Sequence, residues 1–98
     1  MRNKYYTSYI NHCLRYYARY DGNAFKSESD VKNWNACRKV MEELPDTDRN
    51  LILDVYSRRD TLSDNVYEVS LLYGINQNYL WRKLSEVQAS IAKERGLV

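Results

Sequence analysis

This 98-residue sequence predicts an all-α fold of about five helices. Three observations lead there. Apolar side chains recur at spacings of three and four in five separate stretches, residues that start and stop helices fall between those stretches, and no stretch shows the alternation of a strand bounded by hairpin turns. The length allows one modest core, hence a single domain: an N-terminal helix and linker over residues 1–26, and a helical bundle over 27–98 with a helix-turn-helix at 63–84. The tyrosine-rich first helix is expected to pack on that unit.

The first helix is expected from about Asn3 to Tyr20, with Tyr6, Tyr9, Ile10, Cys13, Tyr17 and Tyr20 on one face and Lys4, Ser8, Asn11, Arg15 and Arg19 opposite. Asp21-Gly22-Asn23 ends it, and a short linker runs through Phe25 and Lys26. Ser27, Ser29 and Asp30 are candidate caps for the second helix, whose stripe is Val31, Trp34, Cys37, Met41 and Leu44. Pro45 stops it. Asp46 or Thr47 begins the third, with Leu51, Ile52, Val55 and Tyr56 inside, and Arg58-Arg59-Asp60-Thr61 links onward. The fourth opens at Ser63, whose hydroxyl can cap it, and closes at Gly74, which tolerates the left-handed conformation. Asn76 caps the fifth, an amphipathic run through Leu80, Leu84, Val87 and Ile91 that extends to Arg95 and stops at Gly96.

Hydrophobic residues make up 44% and charged residues 29%, as in ordinary folded proteins and unlike disordered chains. No apolar run is long enough to span a bilayer, and Met1-Arg2-Asn3-Lys4-Tyr5-Tyr6 lacks a signal-peptide core, so the expected setting is the cytoplasm with no membrane partner. Charge is uneven: residues 1–26 hold five basic side chains and one acid, residues 27–75 six and ten, residues 76–98 four and two. A polyanion would meet the ends, while the acidic middle faces water or a basic protein.

Enzymatic signatures are missing. His12 diverges from Cys13 by about 100° on a helix, so the two form no natural catalytic pair. Cys13 and Cys37 read as buried thiols, not as a disulfide or a metal site. The acids Glu42, Glu43, Asp46 and Asp48 straddle a helix boundary and read as the polar face at the end of one helix followed by acids that the dipole favours at the start of the next. With no glycine-rich phosphate loop, zinc spacing or nucleophile elbow, no enzyme, cofactor or metal is expected.

Two helices over one glycine turn give the geometry that sets a recognition helix in a DNA major groove. In that placement Asn76, Gln77, Asn78, Arg82 and Lys83 face the duplex, where Gln and Asn pair with adenine edges and Arg and Lys with guanine or phosphate. Arg58, Arg59 and Asn65 are expected at backbone phosphates. Trp81 points about 100° away from Leu80, either packing on the first helix or lying exposed as a dimer or polymerase contact; packing is favoured. Six of the ten tyrosines fall in the first helix, which suits core or interface packing better than a nucleic-acid stacking platform. Tyr5 and Tyr16 would flank the stripe as an aromatic strip suited to homodimerisation.

With the helices placed, the stretch from Trp34 to Leu84 resembles region 4 of the bacterial sigma-70 family, and in particular its small phage and mobile-element relatives of the ArpU and RinA type. The resemblance is carried by Leu44-Pro45, by Asp48-Arg49-Asn50-Leu51-Ile52-Leu53 and Val55-Tyr56, by Val69-Ser70 in place of an Ile-Ala pair, by Gly74-Ile75-Asn76, and by Leu80 and Leu84. It implies a DNA-binding regulator of phage or mobile-element transcription, with double-stranded DNA as partner and RNA polymerase as a further one; a homodimer is expected on physical grounds, because one small helix-turn-helix buries limited surface and two half-sites multiply discrimination. The alternative is a helical interaction module that contacts polymerase or another regulator without touching DNA, for which the modest net charge of +2, Trp81, Glu86 and the tyrosine face of the first helix speak.

Overall fold

The computed structural model describes residues 6–19 and 27–97. Among them are five helices and no strand: α1 (Thr7–Arg19), α2 (Glu28–Glu42), α3 (Asp46–Ser57), α4 (Leu62–Tyr73) and α5 (Gln77–Glu94). The all-α class therefore holds. No helix among the described residues is long and apolar enough to cross a membrane. The expectations on Asn3, Lys4, Tyr5 and Tyr20, and on the turn and linker from Asp21 to Lys26, lie outside the described residues.

The helices begin and end where side-chain chemistry dictates. Ser27 caps α2, its Oγ accepting from the Asp30 amide at 3.2 Å. Arg49, one turn into α3, reaches back past the end of α2: its Nε donates to the Met41 carbonyl at 2.9 Å and its Nη2 to the Leu44 carbonyl at 2.8 Å, tying the start of α3 to the chain that leaves α2. α4 opens at Thr61 rather than Ser63. The Thr61 Oγ1 accepts from the Asp64 amide at 3.2 Å, which puts Ser63 and Asp64 inside the first turn. A threonine two residues before the serine supplies the same kind of cap one half-turn earlier, and the longer helix wins. Gly74, at φ 65°, ends α4, and Asn76 caps α5 by accepting from the Asn78 amide at 2.7 Å.

One core cluster draws on all five helices, with Ile10, Leu14, Met41, Ile52, Val66 and Leu84 among the side chains removed from water. Each such side chain contributes roughly 1.5–3 kcal/mol. The faces differ from the sequence pattern in α1 and α2. In α1, Leu14 joins Tyr6, Ile10 and Cys13 inside, while Tyr9 is exposed and Tyr17 half-buried. Tyrosine hydroxyls seek partners at the core's rim: the Tyr9 hydroxyl donates to Asn33 at 3.1 Å, and the Tyr17 ring leans on Trp34 with centroids 4.5 Å apart. In α2 the buried set is Asn33, Ala36, Cys37, Val40 and Met41, so Val31 lies outside and Trp34 and Leu44 sit at the margin. α2 is held between α1 and α5, where its narrower side chains fit.

Polar links tie the layers together. The Tyr56 hydroxyl donates to Asn11 Oδ1 at 2.7 Å, and the Gln88 amide donates to the same oxygen at 2.9 Å, joining α1, α3 and α5. Burial pushes the Tyr56 phenol up to about 12. Cys13 and Cys37 are free and buried, as expected; burial raises both thiols, Cys37 to about 12.

Candidate nucleic-acid interface

α4 and α5 pack on each other and on α3, joined by Gly74-Ile75-Asn76. The inner column of α5 is Leu80, Leu84, Val87 and Ile91, the set its spacing predicted. Its outer column therefore runs through Asn78, Arg82, Ser85 and Ala89, all exposed and all but the arginine short. Short side chains let a helix backbone come close to a groove floor, and serine and alanine can themselves meet base edges or a thymine methyl group. Ser85 and Ala89 escaped the sequence reading, although the spacing of four, three and four from Asn78 through Arg82 and Ser85 to Ala89 was available to find them.

The expected contact residues fall into two groups. Gln77 and Asn78 stand exposed in the first turn of α5, beside Asn76, whose side-chain oxygen is occupied as the cap. Arg82 is exposed, its guanidinium 5.9 Å from the centre of the Tyr79 ring, and Arg59 is exposed in the α3–α4 linker. These four polar side chains can reach a ligand.

Lys83, Arg58 and Asn65 are engaged within the protein. Lys83 is half-buried, its Nζ 3.6 Å from Asp48 Oδ2 and 3.6 Å from Glu86 Oε1. The Asp48 carboxylate, followed by Glu86, raises the ammonium pKa. Asp48 is itself buried at the start of α3 and accepts a hydrogen bond from the Tyr79 hydroxyl at 2.9 Å, which holds that phenol's proton and raises its pKa. Thus Asp48 is no part of a surface acidic cluster; it anchors α5 to α3. Arg58 follows α3, with Nε 2.9 Å from Asp54 Oδ1 and Nη1 3.6 Å from Glu68 Oε2.

Asn65 corrects the sequence reading outright. It is 2% exposed, and its amide nitrogen donates to the carbonyls of Val55, Arg58 and Asp60 at 3.0, 3.2 and 3.2 Å. The backbone of the α3–α4 linker turns away from helical pairing there, and one buried amide supplies donors to the carbonyls left over. Its own backbone amide is bonded to the Thr61 carbonyl at 2.9 Å. Asn65 therefore shapes the linker that carries Arg59 and does not itself reach phosphate.

Two aromatic expectations are also resolved. Trp81 is half-buried and packs against the core. Tyr16 is half-buried in α1, so its side chain does not stand out as an aromatic strip; the exposed large apolar residues concentrate on α4 as Tyr67, Leu71, Leu72 and Tyr73.

Fold and surface together define an all-helical protein with a short glycine turn between its last two helices and a polar, short-side-chain outer face on the second. Compared with protein-family models, curated proteins and solved structures, the chain has no match.

Proposed function

We propose that this chain is a DNA-binding transcriptional regulator, sigma-70 region 4-like, acting on phage or mobile-element genes, with the N-terminal half of α5 reading a major groove. The observation that carries the reading is the outer column of α5. Asn78, Arg82, Ser85 and Ala89 line one side of a helix whose other side is anchored by Leu80 and Leu84, and Gln77 adds a second amide at the same end. A helix held rigidly from behind and furnished with amides, a guanidinium and short side chains in front suits base-edge contact. Arg59 would touch backbone phosphate. Double-stranded DNA is the partner this reading requires, and a homodimer would add a second half-site and multiply discrimination. No enzymatic activity is part of it.

The structure narrows which substitutions test it. Replacing Lys83 would also leave the buried Asp48 carboxylate without its cation, so Arg82→Gln and Asn78→Ala are the cleaner variants. Fluorescence anisotropy against a duplex from the gene's own upstream region should show binding that weakens steeply between about 50 and 200 mM salt. Arg82→Gln should lower that salt slope by about one if the arginine meets phosphate, or relax base preference if it meets guanine. Identical curves for wild type and both variants would sink the placement of α5.

A second reading, an interaction module that contacts RNA polymerase or another regulator without DNA, is favoured by one observation of its own: the apolar side chains that α4 leaves in water. Binding that ignores salt, with no affinity for duplex at low salt, would put it first.

A further inference from the structure

α4 is apolar on two opposite faces. Inward it buries Asn65, Val66, Val69 and Ser70. Outward, Asp64, Tyr67, Glu68, Leu71 and Leu72 fall at intervals of three, one, three and one, a continuous stripe along the helix. Leu71 and Leu72 are 64% and 67% exposed and Tyr67 is 51% exposed. A helix with apolar residues on both sides is normally covered on both, and adjoining exposed apolar side chains rimmed by charge are the usual make-up of a contact surface.

The charges on this stripe identify what would cover it. α4 carries Asp64 and Glu68 and no lysine or arginine, and the neighbouring Arg58 is already paired with Asp54 and Glu68. Beside the stripe an open hollow of about 480 Å³, lined by Arg58, Glu68, Leu71 and Leu72, has room for a large apolar side chain. Counting Asp54, Asp64 and Glu68 against Arg58, the stripe and its hollow carry a net charge of −2, which complements a segment that is itself apolar and basic. A second copy docking through the same face would bring together two patches of the same negative sign, since a two-fold contact pairs the patch with itself. DNA is repelled by the same carboxylates.

We propose that the outer face of α4 is a docking surface for a basic amphipathic helix of another protein, with Leu71 and Leu72 receiving its apolar anchors and Asp64 and Glu68 meeting its lysines or arginines. The surface lies on α4 and the base-contacting column proposed above on α5, so variants at Leu72 and at Arg82 test the two contacts one at a time.

The probe is a fluorescein-labelled synthetic helix of about 18 residues, with leucines along one face and lysines flanking them, paired with a control carrying glutamate in place of every lysine. Anisotropy with the full chain should show saturable binding of the lysine peptide only. Leu72→Ser and Glu68→Lys should each weaken it about tenfold or more, a change of ~1.4 kcal/mol, with the helical circular-dichroism signal unchanged. Equal binding of both peptides, no binding of either, or variants that bind like wild type would overturn the proposal. So would a protein that sediments as a dimer and is made monomeric by Leu72→Ser, because the occupant would then be a second copy.

Discussion

α4 and α5 are joined by three residues and lean on the same helix, yet their outer faces are opposites. α5 turns Asn78, Arg82, Ser85 and Ala89 to water, whereas α4 turns Tyr67, Leu71 and Leu72 there. Inner faces report what folding requires, since both helices bury aliphatic side chains against α3. Outer faces are free of that requirement, and both proposals rest on the difference between them: a polar face with short side chains would suit a polar groove, an apolar face with carboxylates an apolar, basic partner.

The largest expected effect breaks the comparison at its core. Leu84→Ala in α5 removes a side chain that is almost wholly buried and should cost ~2–5 kcal/mol in urea unfolding, the range for core leucines. A loss below ~1 kcal/mol would mean that α5 is not anchored as described.

Alkaline pH should loosen the interior next. Folding holds the Cys37 thiol and the Tyr56 phenol protonated to about 12, against ordinary values of 9.0 and 10.0. The unfolded chain releases these protons first, so the stability they contribute is complete below about pH 9 and falls as pH rises toward 12. At about 1.4 kcal/mol per pH unit of difference, Cys37 alone should lose ~2 kcal/mol by about pH 10.5. Ionising Tyr56 also removes the proton it donates to Asn11 of α1. Thermal melts at about pH 8 and 10.5 check this, and Cys37→Ala should flatten the profile; a melting temperature independent of pH over that span would contradict the burial of both groups.

Asn65→Ala sharpens the comparison from the side of α4. It removes the donor shared by the Val55, Arg58 and Asp60 carbonyls, of which that of Arg58 keeps a second partner in Arg19, and should cost roughly 1–3 kcal/mol, whereas a phosphate-contacting surface asparagine would cost almost nothing in stability. Smallest of all should be Leu72→Ala, with a change within about 0.5 kcal/mol despite the loss of as many carbons as in Leu84→Ala. A large loss there would mean that the outer face of α4 is covered in the free protein.

Much of this was legible in the sequence because it is local. The apolar column of α5, the Asn76 cap, the Gly74 stop and the inner set of α3 each depend on residues within two or three turns of one another, and all appear as read. Thr61 was missed as a cap because Ser63 offers the same chemistry two residues later. The site was legible only in part. Gln77, Asn78 and Arg82 are where the spacing puts them, but Lys83 and Asp48 are 35 residues apart in the chain and no local pattern announces their pairing.

By itself the sequence determined the number of helices, nearly all their ends, and which side of α3 and α5 faces inward, because caps and the 3.6-residue period act within a single helix. Only the tertiary structure decided that Asn65 turns inward to serve three carbonyls, that Lys83 is held by Asp48, and that Leu71 and Leu72 are left in water. Those outcomes depend on which neighbour arrives at each face, and a helix apolar on two sides cannot declare from its own residues which side the rest of the chain will cover.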